Sequence, residues 1–97
     1  MSTFRIDGFI WLEEIVEKIA RKHGIHVSEA EEVFQNSPKF RFVEKGFRES
    51  EDVYAALGRT DAGRYVIVFF VYKTDRRALP VSARDMSSGE RRMYGQK

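Results

Sequence analysis

A chain of 97 residues, 42% hydrophobic and 33% charged, suits one domain with a modest core and no metal or disulfide support, so residues 1–97 are read as a single unit. The absence of cysteine excludes a disulfide framework and thiolate metal sites, and the longest apolar run, VIVFFV at 66–71, is far too short to span a bilayer. A net charge of +2 and a pI near 9.0 permit a nucleic-acid partner without requiring one.

The opening MSTFRIDGFIWL has no basic region leading into an apolar one, so no secretory signal is read and the expected location is cytoplasmic. Residues 4–11 mix β-branched and aromatic side chains, broken at Asp7-Gly8, and predict a short or bulged strand. In residues 12–23, Leu12, Ile15, Val16, Ile19 and Ala20 follow the spacing that buries one helix face, and Gly24 supplies a left-handed stop. Ser28-Glu29-Ala30-Glu31 has the capping-box spacing, which predicts a second helix running to Asn36-Ser37-Pro38.

Beyond Pro38 the chain reads as β-rich. Strands are expected at 40–44, 53–59, 64–73 and 78–84, the last three joined by TDAG and TDRR, which have hairpin lengths and turn residues. Residues 66–71 are apolar on both alternations and belong in a central strand covered on both faces. Ser87-Ser88-Gly89-Glu90 repeats the capping-box spacing and opens a last helix ending near Tyr94. The order is β, α, α, an antiparallel meander, then α.

If TDAG is a tight turn, Arg59 and Arg64 lie nearly opposite one another, and the return of the next hairpin brings Arg84 close to Tyr65 at the same end of the sheet. The capped start of the last helix begins there too, with free amides and a positive dipole end. Arginine presents a planar fork matched to phosphate oxygens. The convergence therefore points to an anion site, with Asp61 or Glu90 offsetting the crowded charge. Taken singly, each arginine is better explained as a solvated or paired surface residue. Arg76 and Arg77 fall at the opposite end and are excluded. His23 and His26 have poor spacing for a shared metal and no obvious acidic partner, so no metal and no cofactor are expected.

KHG at 22–24, EAEEVF at 29–34, GRT at 58–60, and SARDM followed by ERRMY resemble the BrnT-type toxins, small RelE-like ribonuclease toxins of bacterial type II toxin–antitoxin modules. The resemblance runs from about residue 9 to residue 94, and its strength lies in the order and spacing of the motifs. It implies an α+β fold, a RelE-like antiparallel sheet with two N-terminal helices and a short C-terminal helix. It also implies metal-independent RNA cleavage, in which a ribose 2′-hydroxyl attacks the adjacent phosphodiester. The implied partner is a BrnA-like ribbon-helix-helix antitoxin, through which alone DNA is contacted. The chain departs from the pattern at Ile19, where many members have asparagine, at Leu79, where many have arginine, and at Glu51-Asp52 ahead of GRT.

The candidate catalytic residues are Arg59, Arg84, His23 and Glu90, and the candidate RNA-binding residues are Lys22, Arg64 and Tyr94. Arg59 and Arg84 are expected to bind the scissile phosphate. His23 is read either as a general acid or base, or, with Lys22, as a cation complementing a helix C-terminus. Glu90 is a capping residue that could also orient Arg84 or move a proton. Tyr94 either packs the helix or stacks on a base. The competing function is a catalytically inactive module that binds an antitoxin or nucleic acid.

Overall fold

The computed structural model describes residues 5–48 and 51–96. In chain order they form β1 (Gly8–Phe9), α1 (Glu13–His23), α2 (Val27–Gln35), β2 (Lys39–Glu44), β3 (Val53–Arg59), β4 (Tyr65–Tyr72), β5 (Arg77–Asp85) and α3 (Ser88–Gly95). The five strands make one sheet in the order β1-β5-β4-β3-β2. The doubly apolar run thus lies in the middle strand, as its pattern requires.

Alternation along β4 builds two cores. Val66, Val68 and Phe70 join Ile19 of α1, Ile25, and Ala30 and Val33 of α2 on one face. Ile67 joins Ala55, Leu57 and Met86 on the other, where Tyr65, Phe69 and Tyr94 pack against them. Full burial of a side chain such as Phe70 or Ile19 stabilises the fold by about 1.5–3 kcal/mol. The first face is covered by α1 and α2, the second by α3.

The first strand is shorter than its composition predicts, and Phe4 lies outside the described residues. Only Gly8 and Phe9 pair, and they run parallel to Arg77 and Ala78, so the sheet is mixed rather than wholly antiparallel. Asp7 N and Ile10 N donate to Arg76 O and Ala78 O (2.8 and 2.9 Å), while Ile6, Phe9 and Trp11 pack on the core. Side-chain burial, more than strand pairing, therefore anchors this segment.

Leu12 is the extended residue before α1 and is 41% exposed. Ala20 is exposed too, and Ile19 is the one buried residue of α1. The helix meets the sheet chiefly along β5, so only a narrow strip of it is covered. Gly24 has φ 63°, and its amide donates to Ala20 O (3.0 Å) while that of Ile25 donates to Ile19 O (3.1 Å). These paired bonds close the helix in the manner its glycine predicts.

The start of α2 differs from expectation. His26, not Ser28, precedes the first turn, and the Glu29 carboxylate reaches back to accept from His26 N (3.0 Å). Glu31 is not the capping partner because Trp11 Nε1 donates to it (2.8 Å), tying the N-terminal segment to α2. At α3 the capping box is as read. Glu90 N donates to Ser87 Oγ (3.1 Å), and Ser87 N donates to Glu90 Oε1 (2.8 Å).

Candidate RNA-binding and catalytic site

The turn between β3 and β4 decides which side chains meet. Thr60 N donates to Arg64 O (2.9 Å), Gly63 N donates to Thr60 O (2.9 Å), and Gly63 has φ 93°. Arg59 is consequently opposite Tyr65, not Arg64. That one-residue difference in register puts Arg59 and Arg64 on opposite faces of the sheet. Arg84 lies opposite Ile67 and shares the α3 face with Arg59. From strand spacing and rise their Cα atoms are roughly 12 Å apart, diagonally across β4.

Arg84 and Glu90 form a planar, two-pronged pair, Nη1 to Oε1 at 2.8 Å and Nη2 to Oε2 at 2.9 Å. Nη1 also donates to Asp85 O (3.1 Å), and the guanidinium lies 5.4 Å from the Phe69 ring centre. Three of its five donor hydrogens are engaged, leaving Nε–H and one Nη2–H for a phosphate. The Arg84 hydrogen bonds, helped by the Ser87 amide, hold the Glu90 carboxyl down at about 2. A group ionised so firmly is ill matched to proton transfer near neutrality. Glu90 fits as the residue that aims Arg84. It also places a negative charge at the start of α3, where a phosphate was expected to meet the helix dipole.

Arg59 is exposed; its backbone carbonyl accepts from Asn36 Nδ2 (2.8 Å), while its guanidinium has no hydrogen-bond or ion-pair partner among the described residues and lies 5.1 Å from the Tyr65 ring centre. Arg91 of α3 lies over the same ring at 4.2 Å. Cation–π contacts of this exposed kind are worth about 0.5–1 kcal/mol each and hold the guanidiniums without using their N–H groups. Lys39 and Arg41 of β2 also reach this face, Lys39 Nζ 5.7 Å from the Tyr94 ring centre and Arg41 Nη1 donating to Met93 Sδ (3.5 Å). Arg91, Tyr65, Lys39 and Arg41 were not among the sequence candidates. The signal for Arg91 was available, because it directly follows the capping Glu90. Tyr94 packs edge-on to Tyr65 (6.2 Å), and its hydroxyl donates to Ser37 O (3.1 Å), so packing accounts for most of its surface. An open cleft of about 650 Å³ lies beside it, lined by Asn36, Ser37, Arg59, Thr60, Asp61 and Tyr94. Asp61 forms no ion pair with Arg59 among the described residues, and its carboxylate accepts from Asn36 Nδ2 (2.9 Å).

Arg64 has a different occupation. Nε and Nη2 donate to Asp85 (2.6 and 3.1 Å), Nη1 donates to Gly24 O (2.9 Å) and more weakly to Glu29 (3.5 Å), and Nη2 donates to His23 O (2.9 Å). All five donors are engaged. The residue closes the C-terminus of α1 and ties both N-terminal helices to β4 and β5. Its hydrogen bonds hold the Asp85 carboxyl below its usual range, with the nearby His23 adding to the effect. His23 and Lys22 are exposed at the end of α1, on the face away from α3. All the sequence candidates thus gather at one end of the sheet but divide between its faces: Arg59, Arg84, Glu90 and Tyr94 on one, Lys22, His23 and Arg64 on the other. Among the described residues no three His, Asp or Glu side chains are grouped as metal ligands would be.

Residues 11–90 match the family described as the ribonuclease toxin, BrnT, of type II toxin–antitoxin systems. The chain belongs to the BrnT toxin family. The crystal structure of the Brucella abortus ribonuclease toxin BrnT superposes with a TM-score of 0.61 at 19% identity, over 84% of this chain and 97% of that one. The BrnT-like fold is thereby shared: an α+β arrangement with two N-terminal helices, a five-stranded mixed sheet and a C-terminal helix. Among curated protein sequences none matches. Of the positions where this chain departs from the BrnT pattern, Ile19 is a fully buried core residue. Leu79 pairs with Val71, at the opposite end of β4 from the Arg84 partner Ile67. Neither touches the arginine cluster. Among the described residues no helix is long and apolar enough to cross a membrane.

Proposed function

We propose that this BrnT-family chain cleaves RNA without a metal, in the cytoplasm, and is held in check by a BrnA-like ribbon-helix-helix antitoxin. The ribose 2′-hydroxyl gives up its proton to a base as its oxygen attacks the adjacent phosphorus, and the bond to the 5′-oxygen breaks. The 5′-oxygen takes up a proton, leaving a 2′,3′-cyclic phosphate and a 5′-hydroxyl end. The observation that carries the reading is the state of Arg84, held by a carboxylate on two of its N–H groups while two others have no partner among the described residues. Arg59 and Arg91, fixed on Tyr65, add cations to the same face. Together they offer preformed stabilisation to the charge of the pentacoordinate phosphorus. His23 stays a candidate for proton transfer at the margin of the site.

The inactive-module reading draws on one observation, that Arg84 also joins β5 to α3 and so has structural work to do. Replacing it separates the two. For Arg84→Ala the cleavage rate, measured in chelator with the cyclic phosphate end as product, is expected to fall about a hundred- to a thousandfold, the cost of a lost transition-state donor. Thermal melting run in parallel reports the loss of the Glu90 pair. Arg76→Ala, in the turn at the far end of the sheet, is the control. Equal cleavage by the two variants would leave the Arg84–Glu90 junction as architecture, absence of cleavage by the wild-type chain would leave a binding module, and cleavage that stops in chelator would remove the metal-independent chemistry.

A further inference from the structure

The two edges of the sheet are unequal. At one, β1 is two residues long and continues into packed side chains. At the other, β2 runs for six residues and, among the described residues, pairs with β3 alone. Its outer row of N–H and C=O groups is a ready template for another strand. Next to that row lie apolar side chains of a kind soluble proteins rarely leave uncovered together. Phe42 is 55% exposed, Val43 is exposed, and Phe47 is wholly so. Phe42 stands edge-on to Tyr54 at 5.9 Å, and this pair continues through Tyr54 and Phe70 into the core.

Charge selects the occupant. Residues 39–48 carry Lys39, Arg41, Lys45 and Arg48 against the single carboxylate of Glu44. A second copy pairing edge to edge would oppose these cations to themselves, which is unfavourable across a strand pair. RNA would satisfy the charge but not the row of peptide groups, and Phe42 faces away from the cations of the α3 side. We propose that the outer edge of β2 is the docking site for an extended, acidic segment of the antitoxin, which adds a sixth strand and seats an apolar side chain on the Phe42–Tyr54 pair. This rests on the toxin–antitoxin reading above. The cations that keep the edge from pairing promiscuously are the ones that favour an acidic strand. Lys39 and Arg41 also border the RNA face, so a strand laid there places its carboxylates against the phosphate path.

The test uses the full chain co-purified with its cognate antitoxin. Hydrogen exchange should show protection of amides 39–44 on complex formation. Phe42→Asp should weaken the complex by at least thirtyfold, and Lys45→Glu should weaken it several-fold, with RNA cleavage unchanged in both. Lys45→Glu, on an exposed residue, keeps the test intact where Phe42→Asp melts early. Exchange protection elsewhere, with unaltered affinity in either well-folded variant, would overturn the docking site while leaving the toxin reading standing. Weaker binding of poly(U) RNA with antitoxin affinity retained would assign the strip to nucleic acid. Failure of the wild-type chain to bind any cognate antitoxin would instead strike the toxin–antitoxin reading itself.

Discussion

Two arginines, Arg64 just ahead of β4 and Arg84 on β5, each hold a carboxylate in a two-pronged grip, yet their expected roles differ. Arg64 has no donor to spare, so Arg64→Ala should act on stability. It strands Asp85 and the last carbonyls of α1, and hydrogen bonds to charged groups are worth about 1.5–3 kcal/mol. A loss of about 2 kcal/mol, seen as a melting temperature lower by roughly 8–16 °C, is expected with cleavage per folded molecule retained. Glu90 gives a pH signature. Its carboxyl is lowered from 4.5 to about 2 in the folded state, so it stabilises the fold above the unfolded value. That contribution is lost as pH falls through about 2. Denaturant titrations between pH 5 and about 2 should show stability declining toward acid. Glu90→Gln should flatten that decline, and an unchanged slope in the variant would mean that the pair contributes little.

At the scale of elements, Gly58 in the GRT motif has a mechanical reason to be glycine. A Cβ there would sit 2.8 Å from Val33 O and 3.0 Å from Val33 Cγ1, because α2 lies flush on β3 at that point. Gly58→Ala should cost about 1–3 kcal/mol by forcing the helix off the strand, measurable by chemical denaturation. Strand and helix identities were legible because each segment's periodicity matched the surface it packs on, most clearly for β4. The two capping motifs show where legibility ends. Ser87 and Glu90 cap α3 as spaced, whereas the matching signature at Ser28 is overridden by Trp11, a residue distant in sequence that claims Glu31. The site was legible as a cluster at one sheet end but not as a face. One residue of hairpin register decides whether Arg59 or Arg64 joins Arg84, and turn composition alone does not fix it. The contact between Arg91 and Tyr65 was not legible, since only the docking of α3 creates it, although the place of Arg91 directly after the capping Glu90 was legible.

For the molecule as a whole, the order of elements sets when the parts of the cluster come together. Ile19, Ile25 and Val33 are made early, but the strands that cover them lie beyond residue 53. Residues 8–9 find their parallel partners only at 77–78. Glu90, which aims Arg84, belongs to the last helix. During vectorial synthesis, therefore, Arg59 is added well before Arg84 and before the Glu90 carboxylate that grips Arg84. The clamp on the arginine cannot close until β5 and α3 are both free of the ribosome, because Arg84 belongs to one and Glu90 to the other. A partner that captures β2, which emerges before β3, β4 and β5, would have an opportunity to engage the chain before that moment.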